Sequence, residues 1–123
     1  MDVLLWILAG VLAALFLAAG LMKVTQPREA LLPRLAWVED FPQPVVRLIG
    51  ALEVLGAIGL VLPAAVGIAP VLVPVAATGL AVTMVGAAVV HLRRHESPMV
   101  AVNLVLLALL LVVAVLRFGA YAF

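Results

Sequence analysis

The chain has no cysteine. That absence excludes a disulfide framework, a thiol nucleophile, a CxxC redox pair and thiolate metal sites. Charge is scarce too. Asp, Glu, Lys and Arg make up 11% of the 123 residues, against about 25% in ordinary soluble domains. Seven basic residues face six acidic ones, and a net charge of +1 leaves no broad basic surface, so nucleic acid is not an expected partner. No phosphate loop, dinucleotide fingerprint or nucleophile elbow occurs. What fills the chain is apolar: 68% of it is hydrophobic. This excludes both a water-soluble globule and a disordered segment.

Four runs are long enough to cross a bilayer core, which takes about 20 residues of α-helix. They cover residues 3–22, 45–62, 71–91 and 99–116. In lipid every backbone polar group must be paired within the protein, so these runs predict helices. The alternating strands of a membrane barrel are absent. The expected fold class is therefore all-α: an integral membrane four-helix bundle forming one domain over 1–123. The first run follows Met1-Asp2 without a basic residue, which favours full insertion over a cleaved signal peptide. In the first loop, Arg28–Val38 sets Leu31, Leu32, Leu35 and Trp37 beside Arg28, Glu29 and Arg34, the pattern of a short interfacial helix. Pro63–Pro70 predicts a tight second connection, and Pro98 suits a helix start at Met99.

Four spans put the first and third connections on one face. That face holds Lys23, Arg28, Arg34, Arg47, Arg93 and Arg94, six of the seven basic residues. The rule that basic loops stay inside places both termini on the non-cytoplasmic side. Trp6, Phe118, Tyr121 and Phe123 then form an outer aromatic belt, and Trp37 and Phe41 an inner one. Asp2 and Arg117 could pair at the outer face, where an exposed pair contributes little.

Polar residues inside the spans are few. Glu53 lies six residues beyond Arg47, about 9 Å deeper along the helix. A carboxylate there is costly and marks function or an obligatory structural role. Gly50, Gly56 and Ala57 flank it on the helix and let a second helix approach. Arg47 points about 120° away and is expected to snorkel to the interface. In the third run Gly79, Thr83, Ala87 and His91 form a four-residue stripe, expected to pack against a neighbour. Lys23 ends the first run after Ala19 and Gly20. Asn103 lies one turn into the fourth. All four helices thus bring a polar group to the same half of the membrane.

Glu53 with Lys23 or His91 nearby makes a tunable acid/base pair, and these three are the candidate catalytic residues. Arg47, Thr83 and Asn103 complete a candidate ligand-binding or structural cluster. Simpler roles stand beside these: Lys23 as an interface anchor, His91 as part of the loop, Asn103 as interhelical glue, or a buried pair that fixes the fold. His91 and His95 are four residues apart, with only Glu96 near to help, so no metal site is expected.

Several stretches resemble the DoxX-like membrane proteins. Gly20-Leu21-Met22-Lys23 is similar to their first-span ending. Arg47-Leu48-Ile49-Gly50-Ala51-Leu52-Glu53-Val54-Leu55-Gly56-Ala57-Ile58-Gly59-Leu60 is similar to their second-span pattern, R-x-x-G-x-x-E-x-x-G-x-x-G-L before a proline, here Pro63. Met84-Val85-Gly86-Ala87 followed by His91-Leu92-Arg93-Arg94 resembles their third-span end, and Arg117 fits after the fourth. The resemblance implies a four-helix protein of the bacterial inner membrane, with Lys23, Arg47, Glu53, His91 and Arg117 at motif positions. Relatives were named for subunits of quinol-oxidising or thiosulfate:quinone systems. Others act beside oxidative-stress enzymes, and distant ones assist receptor assembly. Thiol-based roles do not carry over to a chain without cysteine.

Three functions remain open on this reading. One is an accessory or assembly subunit of a quinone-linked redox system, in a homo-oligomer or hetero-complex with a membrane redox enzyme. Another is a membrane enzyme using Glu53 with His91 or Lys23 on an apolar lipid or quinone-like substrate. The third is an oligomeric transporter or channel. A quinone is the cofactor considered.

Overall fold

The computed structural model describes residues 2–33 and 35–123. Four long helices dominate: α1 (Asp2–Thr25), α3 (Gln43–Val66), α4 (Leu72–Arg93) and α5 (Ser97–Phe118). Between α1 and α3 lie a single turn, α2 (Arg28–Leu31), and a 3-10 helix at Ala36–Asp40. At about 1.5 Å per residue, even the 22-residue helices reach about 33 Å, enough to cross a bilayer core of about 30 Å. All four are long and apolar enough to be membrane spans.

Each helix is longer than its apolar run, although α4 starts one residue late, at Leu72. Helix α3 runs through Pro63 and stops at Val66, so the expected break at Pro63 does not occur. Near the end of a helix a missing N–H costs only one bond. The stop comes at Gly67, whose φ of 70° is left-handed. There Gly67 N–H bonds to Ala64 O and Ile68 N–H to Pro63 O, the Schellman closure that glycine makes possible. The short helix expected in the first loop is present as α2, but it is shorter than 28–38. Helix α2 ends at Leu31, just before Pro33, and the chain resumes as the 3-10 helix. Arg34, counted among the basic residues of this loop, lies outside the described residues, as does the Arg28 side chain.

Helix α1 packs along α3, α4 along α5, and α3 against α4, while α1 and α5 touch little. The packed core occupies the half of the bundle that carries the termini. There Leu12, Phe16, Leu60, Val73, Ala77, Leu80, Leu110 and Val113 are all buried. In the other half the helices stand around a hollow. A second cluster roofs that end: Leu31, Val38 and Val46, with Met22, Leu32, Leu35, Trp37 and Phe41 against them.

A candidate polar site in a membrane cavity

Two glycines set up the site. Where α1 crosses α3, a Cβ on Gly20 would lie 2.6 Å from Gly50 O, and one on Gly50 would lie 2.7 Å from Lys23 Cβ. The backbones touch because neither residue has a side chain. One turn on from this crossing, Lys23 Nζ meets Glu53 Oε1 at 2.5 Å. Both side chains are buried, 11% and 3% exposed. The Lys23 ammonium also stands 5.6 Å from the centroid of the Trp37 ring, in cation–π range.

The pair borders a cavity of about 490 Å³. All four long helices contribute, and so does the segment before α3. Its polar lining is Lys23, Glu53, Thr83, His91 and Asn103; its walls include Phe16, Ile49 and Met84, with Trp37 and Phe41 at the roof. Leu15, Leu52, Gly86 and Val102 also line it and are exposed on the bundle's outer surface. The hollow therefore opens sideways, toward the space that acyl chains occupy around a membrane bundle.

Each polar residue has a distinct setting. His91 is buried, and its Nδ1 lies 2.9 Å from Glu96 Oε1. The α4–α5 turn makes this contact. His95 adopts a left-handed φ of 59°, and Glu96 N–H returns to His91 O at 2.9 Å. That conformation is strained for a residue with a Cβ. His95 thus sits past the end of α4 and does not join His91 in a pair. The Glu96 carboxyl is held below the usual carboxylate range, first by the His91 ring and then by Arg94. Arg94 in turn reaches Glu39 at 2.9 Å, Asp40 at 2.8 Å and Glu96 at 3.1 Å. These acids, the Asp40 bond foremost, raise the guanidinium's already high pKa further. Arg94 thereby ties the 3-10 helix that bears Trp37 to the α4–α5 turn.

Thr83 donates its hydroxyl to Gly79 O at 3.1 Å. Asn103 is 5% exposed, and its Nδ2 has no hydrogen-bond partner. Arg47 stays outside the cavity, exposed at the start of α3.

The stripe on α4 packs only in part, with Ala87 resting against the buried core. Thr83, Ala87 and His91 face the cavity, and a Cβ on Gly79 would meet nothing within 4 Å. Small side chains here leave space open. The packing face of α4 is instead Val73, Ala77, Leu80, Ala81 and Met84. At the terminal end, Arg117 bonds to Asp2 and to Tyr121 O, with the Phe123 ring centroid 4.0 Å from its Cζ. The guanidinium is buried, so the pair is not the fully exposed one expected. Trp6 meets Phe123 edge-on. No sequence pattern marks Trp37 and Phe41 as cavity lining or Glu96 as the partner of His91. The first two read as an interfacial belt, and the Glu96 contact depends on a left-handed histidine that no local motif announces.

A four-helix bundle of membrane-spanning length, with a buried ion pair and an apolar cavity between its helices, defines a small multi-pass membrane protein. The chain belongs to the DoxX-like family, whose model matches residues 7–113. No curated protein and no solved structure matches it.

Proposed function

We propose that this protein is an accessory subunit of a quinone-linked redox system in the bacterial inner membrane. On this reading the chain acts as one transmembrane domain, its termini outside the cytoplasm. It holds a small apolar ligand taken from the bilayer. The observation that carries the proposal is the 490 Å³ cavity, which opens to the lipid-facing surface and has Lys23 and Glu53 in its wall. Cavities of this size accommodate compact ligands, and apolar walls with a few placed polar groups are the usual design. The ion pair presents a cation and a carboxylate to an oxygen-bearing headgroup. Thr83, His91 and Asn103 add polar edges, and Arg47 anchors α3 at the interface.

The chain has two tryptophans, so Trp6→Phe leaves Trp37, which lines the cavity, as the sole reporter. In nanodiscs, an alkylbenzoquinone should quench Trp37 saturably. Glu53→Gln should insert and accumulate yet lose that saturable phase. Quenching that stays linear in the wild type, as for a quencher merely dissolved in lipid, defeats the proposal. Mild extraction from native membranes should also recover a partner enzyme or bound quinone.

A second reading is favoured by the burial of the Lys23–Glu53 pair in the cavity wall: an enzyme with Glu53 as general acid/base. Lys23 is then its immediate partner, while His91 is engaged with Glu96. Turnover of the bound molecule by the isolated protein, rather than binding alone, selects this reading.

A further inference from the structure

A second hollow adjoins the cavity. It is a groove of about 350 Å³ along the α3–α4 seam. Leu52 and Thr83 line both spaces, so the two meet there, and Leu52 is the residue before Glu53. From this junction the groove follows α4 back to Leu72, about 16 Å along the helix. Its rims include Leu55, Leu72 and Val75, all exposed. Gly79 keeps it open, because a Cβ there would meet nothing within 4 Å.

The groove differs from the cavity in chemistry. Its one polar side chain is Thr83, and that hydroxyl is engaged by Gly79 O. Nothing in it holds a polar head, whereas the cavity has Lys23, Glu53 and His91 in its wall. Nor does it suit another transmembrane helix. Helices approach through small residues, and the glycines of α3 at this seam already face α4. A Cβ on Gly56 would lie 2.6 Å from Leu80 Cδ2, and one on Gly59 would lie 2.8 Å from Ala76 Cβ. The residues left standing outward are bulky. An apolar slot leading out of a polar-edged cavity fits a hydrocarbon chain.

We infer that the molecule in the cavity is an amphiphile with a hydrocarbon chain, and that this chain leaves between Leu52 and Thr83 and lies along the α3–α4 groove. This rests on the ligand-binding role proposed above and deepens it: the cavity takes the head and the groove takes the chain. An apolar chain gains little by exchanging lipid for protein. The groove therefore acts through fit, since dispersion contacts need a chain that matches the slot.

The test uses the full chain carrying Trp6→Phe in nanodiscs, with Trp37 quenching as the binding signal. A decylbenzoquinone bearing a mid-chain diazirine is photolysed at saturation, and its adducts are mapped by mass spectrometry. They should fall on Leu55, Val75, Ala76 and Gly79, and excess unlabelled decylbenzoquinone should remove them. Gly79→Leu fills the slot from a position with free space, so the fold should be unaffected. It should weaken decylbenzoquinone binding about fivefold and leave that of the chainless benzoquinone unchanged, both affinities being taken per mole of membrane-dissolved quinone.

Competed adducts on Leu15 of α1 or Val102 of α5, at other edges of the cavity, overturn the inference. Adducts that excess ligand does not remove report exposure to bilayer lipid only, and overturn it too. So does a Gly79→Leu loss that is absent, or equal for both quinones. In each of these cases saturable quenching of Trp37 leaves the ligand-binding role standing. Absence of that quenching from the Trp6→Phe protein overturns both.

Discussion

At the end of the bundle bearing the termini, Arg117 meets Asp2; at the other end, Lys23 meets Glu53. Both cations are buried, but their surroundings differ. The Asp2 side chain is 61% exposed, and Arg117 is further held by Tyr121 O and the Phe123 ring, at the end where the packed core lies. Glu53 is 3% exposed and stands beside a cavity. An ion pair with one partner in solvent desolvates only the other, here Arg117, whose guanidinium Tyr121 O and the Phe123 ring also hold. A pair with both partners out of water bears that cost twice, and a tighter apolar packing would have been cheaper. Under the proposed ligand-binding role, the pair is kept beside open space for what it offers a ligand rather than for stability.

Substitutions can break this contrast. The largest effect belongs to Lys23→Met, which strands the Glu53 carboxylate and should destabilise the protein by about 3–5 kcal/mol. Adding Glu53→Leu should recover most of that loss without recovering quinone binding. Asp2→Asn, at the opposite end, should cost no more than about 1 kcal/mol. Reversible unfolding in mixed detergent micelles measures all three. A double variant as unstable as Lys23→Met would make the pair structural and erase the distinction between the ends.

The two halves should also differ in what truncation costs. Leu110→Ala, fully buried in the core, should lose about 2–5 kcal/mol. Met99→Ala lines the cavity at 39% exposure and should stay within about 0.5 kcal/mol. Smaller than the Leu110 effect is Gly50→Val. Its added carbons press on the α1 backbone at Gly20 and should cost about 1–3 kcal/mol while separating Lys23 from Glu53. Gly10→Ala, where a Cβ would meet nothing, is the control and should not destabilise, gaining up to about 1 kcal/mol from helix propensity.

How far these features were legible depends on the distance between cause and residue. The four spans follow from hydropathy alone, because lipid leaves a helix as the only way to pair the backbone. Their ends do not, since Pro63 looks like a stop yet sits within a turn of the true one at Gly67. That Lys23, Glu53, His91 and Asn103 share one end follows from counting residues along each span. Which of them pair does not, because it depends on which helices are neighbours. Lys23 reaches Glu53 because α1 lies on α3, and the Gly20 and Gly50 contact that allows it is a property of two helices. The small residues of α4 were the misleading signal. Thr83 and Ala87 at helical spacing suit a packed seam and an open wall equally well, and only the position of α5 decides.

Arg94 offers a gentler test of the roof. Arg94→Gln removes contacts to Glu39, Asp40 and Glu96, all at least partly exposed, so global stability should barely move. The 3-10 helix bearing Trp37 should loosen, and a water-soluble quencher should reach Trp37 more readily. In the unsubstituted protein the same loosening should appear at high salt, which screens exposed pairs.

The smallest effect is a pH dependence centred on Glu96. Its carboxyl is held below the ordinary value of 4.5 when folded, by His91 and then by Arg94. A depressed carboxylate contributes stability that is fully present above the unfolded pKa and is lost as pH falls through the folded one. The unfolding temperature should therefore be insensitive to this group near neutrality and decline as pH drops below about 4.5. Glu96→Gln should be offset downward at neutral pH and converge with the parent in acid. Trp37 quenching followed over the same range separates two outcomes. If quencher access rises as stability falls, Glu96 holds the roof through Arg94. If access stays constant, Glu96 acts only on the α4–α5 turn through His91, and the roof is kept by Glu39 and Asp40.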